Sequence, residues 1–142
     1  MGYTVIFKSQ SGQTLGRPHV YLHKESPWTL DEVVRHVRND FMPETEATSL
    51  DVRDEDGKLI VELTRAQFDA GAKQYKVAFV EVPENRREWN PTGQVAYLAT
   101  WSQPLAMALA KELVPLYPPA TGFDLIDMIS LAPLEGWDRS QG

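Results

Sequence analysis

The chain has 142 residues, no cysteine, 42% hydrophobic and 24% charged residues, and a formal net charge of −6. Such a composition belongs to a folded protein with a core of its own, and the lack of cysteine excludes disulfides, thiol catalysis, cysteine zinc sites and iron–sulfur clusters. The acidity speaks against direct nucleic-acid binding, which needs a basic face. With no bilayer-length apolar stretch and no secretory signal at Met1–Val5, the expectation is a cytoplasmic protein without a membrane partner.

Residues 3–8 are β-branched and aromatic and read as a strand. Ser11-Gly12-Gln13 supplies a turn, and His19-Val20-Tyr21-Leu22-His23 alternates as the return strand, with Val20 and Leu22 on one face and the other three on the opposite face. Thr29-Leu30-Asp31-Glu32 is a capping box. Leu30, Val33, Val34, Val37 and Phe41 then line one side of an amphipathic helix, which Pro43 ends. Leu50 and Val52 alternate with charged residues, Asp56-Gly57 marks a hairpin turn, and Leu59-Ile60-Val61 returns. Thr64 caps a short helical turn through Phe68, and residues 74–82 form a strand whose Tyr75, Val77 and Phe79 suit a central position.

The order strand, strand, helix, strand, strand, short turn, strand resembles the ubiquitin-like β-grasp. Ile6-Phe7-Lys8 with Ser11-Gly12-Gln13-Thr14 is similar to the family's first hairpin, Thr29-Leu30-Asp31-Glu32-Val33 to the start of its central helix, and Leu63-Thr64 before Phe68 to the loop leading into its last strand. The resemblance covers residues 3–82 and implies an α+β fold, a mixed sheet packed on one central helix. It does not extend to modifier or sulfur-carrier chemistry. The strand ends in Val82-Pro83-Glu84-Asn85 and not in a Gly-Gly tail, and Leu50-Asp51-Val52-Arg53 stands where an apolar recognition patch would be. The expected domains are a β-grasp at 1–82 and a mainly helical C-terminal extension at 83–142, packed on the first.

In that extension Pro83 to Pro91 reads as a linker or strap, and Gln94 to Thr100 as either strand or helix. Pro104 opens a helix with a Leu105, Leu109, Leu113 stripe. Thr121-Gly122-Phe123-Asp124 offers a second helix start, with Leu125, Met128 and Ile129 on one face. There is no internal repeat or low-complexity segment.

Candidate chemistry is sparse. His19 and His23 share a strand face but stand roughly 14 Å apart at about 3.4 Å per residue, too far for one zinc ion, and His36 is on the exposed side of the helix. Asp54-Glu55-Asp56-Gly57 has the look of a calcium-loop start, yet Arg65 occupies the twelfth position. No nucleophile elbow, zinc-protease helix, phosphate loop or dinucleotide fingerprint occurs, so neither catalytic residue, metal site nor cofactor is expected. The expected function is a non-catalytic protein–protein interaction module: an adaptor, accessory subunit or small inhibitor. Trp89, Tyr97, Trp101 and Trp137 are its candidate anchors, and Asp54, Glu55 and Asp56 steer another protein with a basic surface. Two alternatives stand beside it. One is a ligand-binding or enzymatic protein with a pocket between the sheet and the C-terminal helices. The other is an acidic mimic of nucleic acid.

Overall fold

The computed structural model describes residues 2–22, 28–41, 46–82 and 89–141. His23, Pro43, Arg86 and Arg87, and residues 83–88 of the expected strap, lie outside the described residues. The chain divides into two compact units, Met1–Gly71 and Ala72–Gly142.

The first unit runs β1 (Gly2–Lys8), β2 (Thr14–Leu22), α1 (Leu30–Phe41), β3 (Ser49–Arg53), β4 (Leu59–Thr64) and α2 (Arg65–Ala70). Its four strands lie in the order β2-β1-β3-β4, every neighbouring pair antiparallel. The capping box forms as the sequence predicts: Thr29 Oγ1 accepts from the Glu32 amide at 3.2 Å and the Thr29 amide donates to Glu32 Oε1 at 3.3 Å. Leu30, Val33, Val34 and Val37 are all buried, and α1 packs against β1. Thr64 caps α2, accepting from the Gln67 amide at 3.2 Å, while its own amide donates to Gln67 Oε1 at 2.9 Å. On the sheet, Lys8 pairs with Asp51 at 2.9 Å and with Glu62, and Arg53 Nη2 pairs with Asp51 at 3.3 Å. These partners oppose the charge of the buried Asp51, and the hydrogen bonds to Glu62 and Asp51 hold the Lys8 ammonium above its ordinary pKa.

This architecture corrects the β-grasp reading. A mixed sheet needs a parallel pair, and β1 has no free side to give one, because antiparallel β2 and β3 flank it. The strand assigned to complete that sheet belongs to the other unit. The ubiquitin-like resemblance therefore rested on an element order that two different sheets share. The β2 alternation holds, and the register shows which face is inward. Register pairs Tyr3 with Tyr21 and Val5 with His19, and Tyr3 and Val5 are buried, so Tyr21 turns inward and Val20 is 59% exposed. His19 packs on Phe7 at 4.9 Å between ring centroids, and His36 Nδ1 lies 3.1 Å from the Tyr21 hydroxyl.

The second unit runs β5 (Lys73–Glu81), β6 (Asn90–Thr100), α3 (Gln103–Leu113), a 3-10 turn (Val114–Leu116), β7 (Gly122–Asp127), β8 (Pro133–Asp138) and a last 3-10 turn (Arg139–Gln141). Its sheet order is β6-β5-β7-β8, again wholly antiparallel. The expected mainly helical extension is thus a second four-stranded sheet with one long helix. Ser102 caps α3, accepting from the Leu105 amide at 3.2 Å, and Pro104 sits in its first turn. The helix expected after Thr121 is β7 instead. Phe123 and Leu125 are fully buried while Asp124 and Ile126 alternate with them, a period of two rather than 3.6. Tyr75, Val77, Phe79, Phe123 and Leu125 from the sheet pack with Ala106, Met107 and Ala110 of α3 and with Val114 to form the core.

The two units share one wiring: a hairpin, a helix, a second hairpin, with the first strand of each hairpin meeting at the centre of the sheet.

Candidate functional site

Alternation fixes what each face of the second sheet presents. Ala96 and Leu98 of β6 pack against the core, so Val95 and Tyr97 point away from the helix. Tyr97 pairs with Lys76 of β5, Lys76 with Ile126 of β7, Val95 with Ala78, and Ala78 with Asp124. These residues form rows across the helix-free face. Trp89 reaches the same face from the residue before β6. A Cβ built on Gly136, which pairs with Asp124, would lie 3.0 Å from the Trp89 ring and 2.9 Å from Asp124 Oδ1. Glycine at 136 is what lets the indole lie on β8 beside that carboxyl. Burial raises the Asp124 pKa above the ordinary carboxylate value, since the charged form is desolvated.

Tyr97 is 64% exposed, Val95 39%, and Trp89 36%. The β7–β8 turn continues the apolar surface. Asp127 Oδ1 accepts from the Ile129 amide at 2.7 Å and the Ser130 amide at 3.3 Å, and the Asp127 carbonyl accepts from Leu131 N at 2.8 Å. This turn holds Ile129 92% and Leu131 68% exposed, with Leu131 in the left-handed region at φ 59°. A hollow of about 300 Å³, lined by Gln74, Tyr75, Tyr97, Leu98, Ala99 and Met128, lies where the sheet meets this turn. The edge strand β6 carries no charged side chain from Asn90 to Thr100, although native edges are commonly blunted by charge.

Of the residues singled out in the sequence, the structure brings Trp89 and Tyr97 to one face. Trp101 is buried. Trp137 is half-buried on the opposite, helix-side face, its ring centroid 5.8 Å from that of Phe123. Asp54, Glu55 and Asp56 form the β3–β4 turn of the first unit. Asp54 Oδ1 accepts from the Asp56 and Lys58 amides, both at 2.9 Å, so Asp54 builds the turn while Glu55 and Asp56 face solvent.

Sequence reasoning missed Val95, Asp124, Ile129, Leu131 and Gly136. The signal was the alternation Phe123-Asp124-Leu125-Ile126, a strand pattern masked by reading Leu125, Met128 and Ile129 as a helical stripe. Among the described residues no group of three or more His, Asp or Glu is placed to hold a metal ion, and no helix is long and apolar enough to cross a membrane. No protein-family model, no curated protein and no solved structure matches the chain.

Proposed function

We propose that the chain is a non-catalytic protein–protein interaction module whose contact surface is the helix-free face of the second sheet together with the β7–β8 turn. One observation carries this reading. Of the nine large apolar side chains exposed among the described residues, seven are in the second unit: Trp89, Val95, Tyr97, Leu116, Ile129, Leu131 and Leu134. Scattered exposed apolar residues are ordinary, but Trp89, Val95 and Tyr97 share one sheet face and Ile129 and Leu131 stand on its adjoining turn, and such a concentration is the mark of an interaction surface. Trp and Tyr, both present on it, are the residue types that dominate binding energy. The uncharged β6 edge supports the same reading, because it leaves strand addition by a partner unopposed.

The net charge of −6 and the exposed Glu55 and Asp56 favour a partner with a basic surface, which they would steer in solution. A cysteine-free chain suits a reducing compartment, so the partner is to be sought in the cytoplasm. The test is affinity capture of the tagged chain from lysate of its source, beside the variant Tyr97→Glu. An exposed polar substitution leaves stability within about 0.5 kcal/mol. The wild type is expected to retain a stoichiometric protein and the variant to lose it. Capture of the same protein by both would remove this face from the interface, and the absence of any partner would overturn the reading.

A further inference from the structure

A second site stands on the other side of the same sheet. Lys111 at the end of α3, Val114 and Pro115 of the following turn, Ala120, Trp137 of β8 and Arg139 line an open hollow of about 340 Å³, within the size range of small-molecule sites. Its lining divides by chemistry. Val114, Pro115, Ala120 and the indole of Trp137 make an apolar bed, and Lys111 and Arg139 set two cations around it. The Lys111 ammonium stands 5.6 Å from the centroid of the Trp137 ring, held over its face.

The charge of this lining is one-sided. Lys111 and Arg139 are exposed cations in no ion pair among the described residues, and no acidic side chain lines the hollow beside them.

We infer that this hollow binds a small organic anion: a carboxylate, or a group of like charge, attached to a flat apolar body. The body lies on Val114, Pro115 and Trp137, and the anion takes Lys111 and Arg139. Inorganic phosphate alone would leave the apolar bed unused, and a neutral aromatic compound would leave both cations unpaired. This inference is independent of the protein-binding face, which lies on the other side of the sheet and shares no residue with it.

The experiment is a titration of the ¹⁵N-labelled full chain followed by the backbone and indole N–H signals, with Trp137→Phe assigning the Trp137 indole. The probes are 2-naphthoate, the neutral 2-naphthylmethanol, and inorganic phosphate, each to about 10 mM, the scale on which a weak millimolar site saturates. Expected are saturable shifts of the Trp137 indole and of the Lys111 and Arg139 amides with naphthoate. Binding of naphthylmethanol should be about tenfold weaker, and phosphate should give no saturation. Lys111→Met and Arg139→Met should each weaken naphthoate about fivefold while Lys111→Arg keeps it, so a variant that fails to fold does not decide the matter. Absence of saturation by naphthoate, equal affinity for the neutral compound, or equally tight phosphate binding overturns the proposal.

Discussion

Asp124 shows how a single residue couples the helix-free face of the second sheet to stability. Its carboxyl lies against Trp89 and Gly136, and burial raises its pKa. A carboxyl whose native pKa exceeds its unfolded value of 3.8 binds its proton more tightly when folded. Between the two values the native state carries more protons, so stability falls as pH rises through that window. The penalty is complete above the native pKa and absent below the unfolded one. Asp124→Asn keeps the shape and removes the charge. It is therefore expected to be more stable than the wild type at pH 7, with the difference closing as pH falls toward 3.8. Urea midpoints measured from pH 7 to pH 3 test this, and a difference that stays flat with pH would show that desolvation of Asp124 has no part in it.

At the scale of elements, legibility followed how local the determinant was. The capping box at Thr29 and the Thr64 cap act within four residues, and both formed as read, the second as a full capping box with Gln67. The α3 start at Pro104 and the Asp56-Gly57 turn were equally local. Strand partners are not. Nothing in residues 73–82 alone says which sheet they join, and the β-grasp reading gave them the wrong one. Which face of β2 turns inward was open for the same reason. Alternation separates Val20 from His19 and Tyr21, but only the pairing of Tyr21 with Tyr3 and of His19 with Val5 fixes the side of the sheet each takes. The β7–β8 turn was lost because Leu125, Met128 and Ile129 imitate a helical stripe. Leu131 also holds a left-handed conformation that costs a branched residue about 1 kcal/mol and glycine little. Leu131→Gly relieves that strain, an expected gain of up to about 1 kcal/mol in chemical denaturation. If the turn tip belongs to the interface, the same variant binds the captured partner less tightly. A variant that gains stability and loses affinity places the strained leucine there for contact; one that loses neither places it there for neither.

For the whole molecule, the two units repeat one wiring without a repeated sequence. The α1 face is built of Leu30, Val33, Val34 and Val37, whereas the α3 face toward the sheet is built of Ala106, Met107 and Ala110. The central strand of one sheet ends in a Lys8–Asp51–Glu62 charge cluster, and the other sheet presents Tyr97, Ala78 and Ile126 on its free face. Topology is kept by the hairpins and the crossing helix, which tolerate such exchange, so the strand orders coincide although the residues that fill them differ. Each unit has its own four strands, its own helix and its own buried set. That predicts separable folding. Residues 72–142 alone should give a dispersed amide spectrum and a cooperative melt, but with reduced stability. A domain of about 60–70 residues buries only about 60% of the surface its unfolded chain exposes and is marginal on that account. Exposed apolar side chains at Tyr97, Ile129 and Leu131 make the fragment prone to associate, so dilute samples and a Tyr97→Glu background belong in the same measurement. A random-coil spectrum from both samples would mean that the cooperative unit is the full chain, and that the shared wiring is one fold's internal symmetry and not two folds joined.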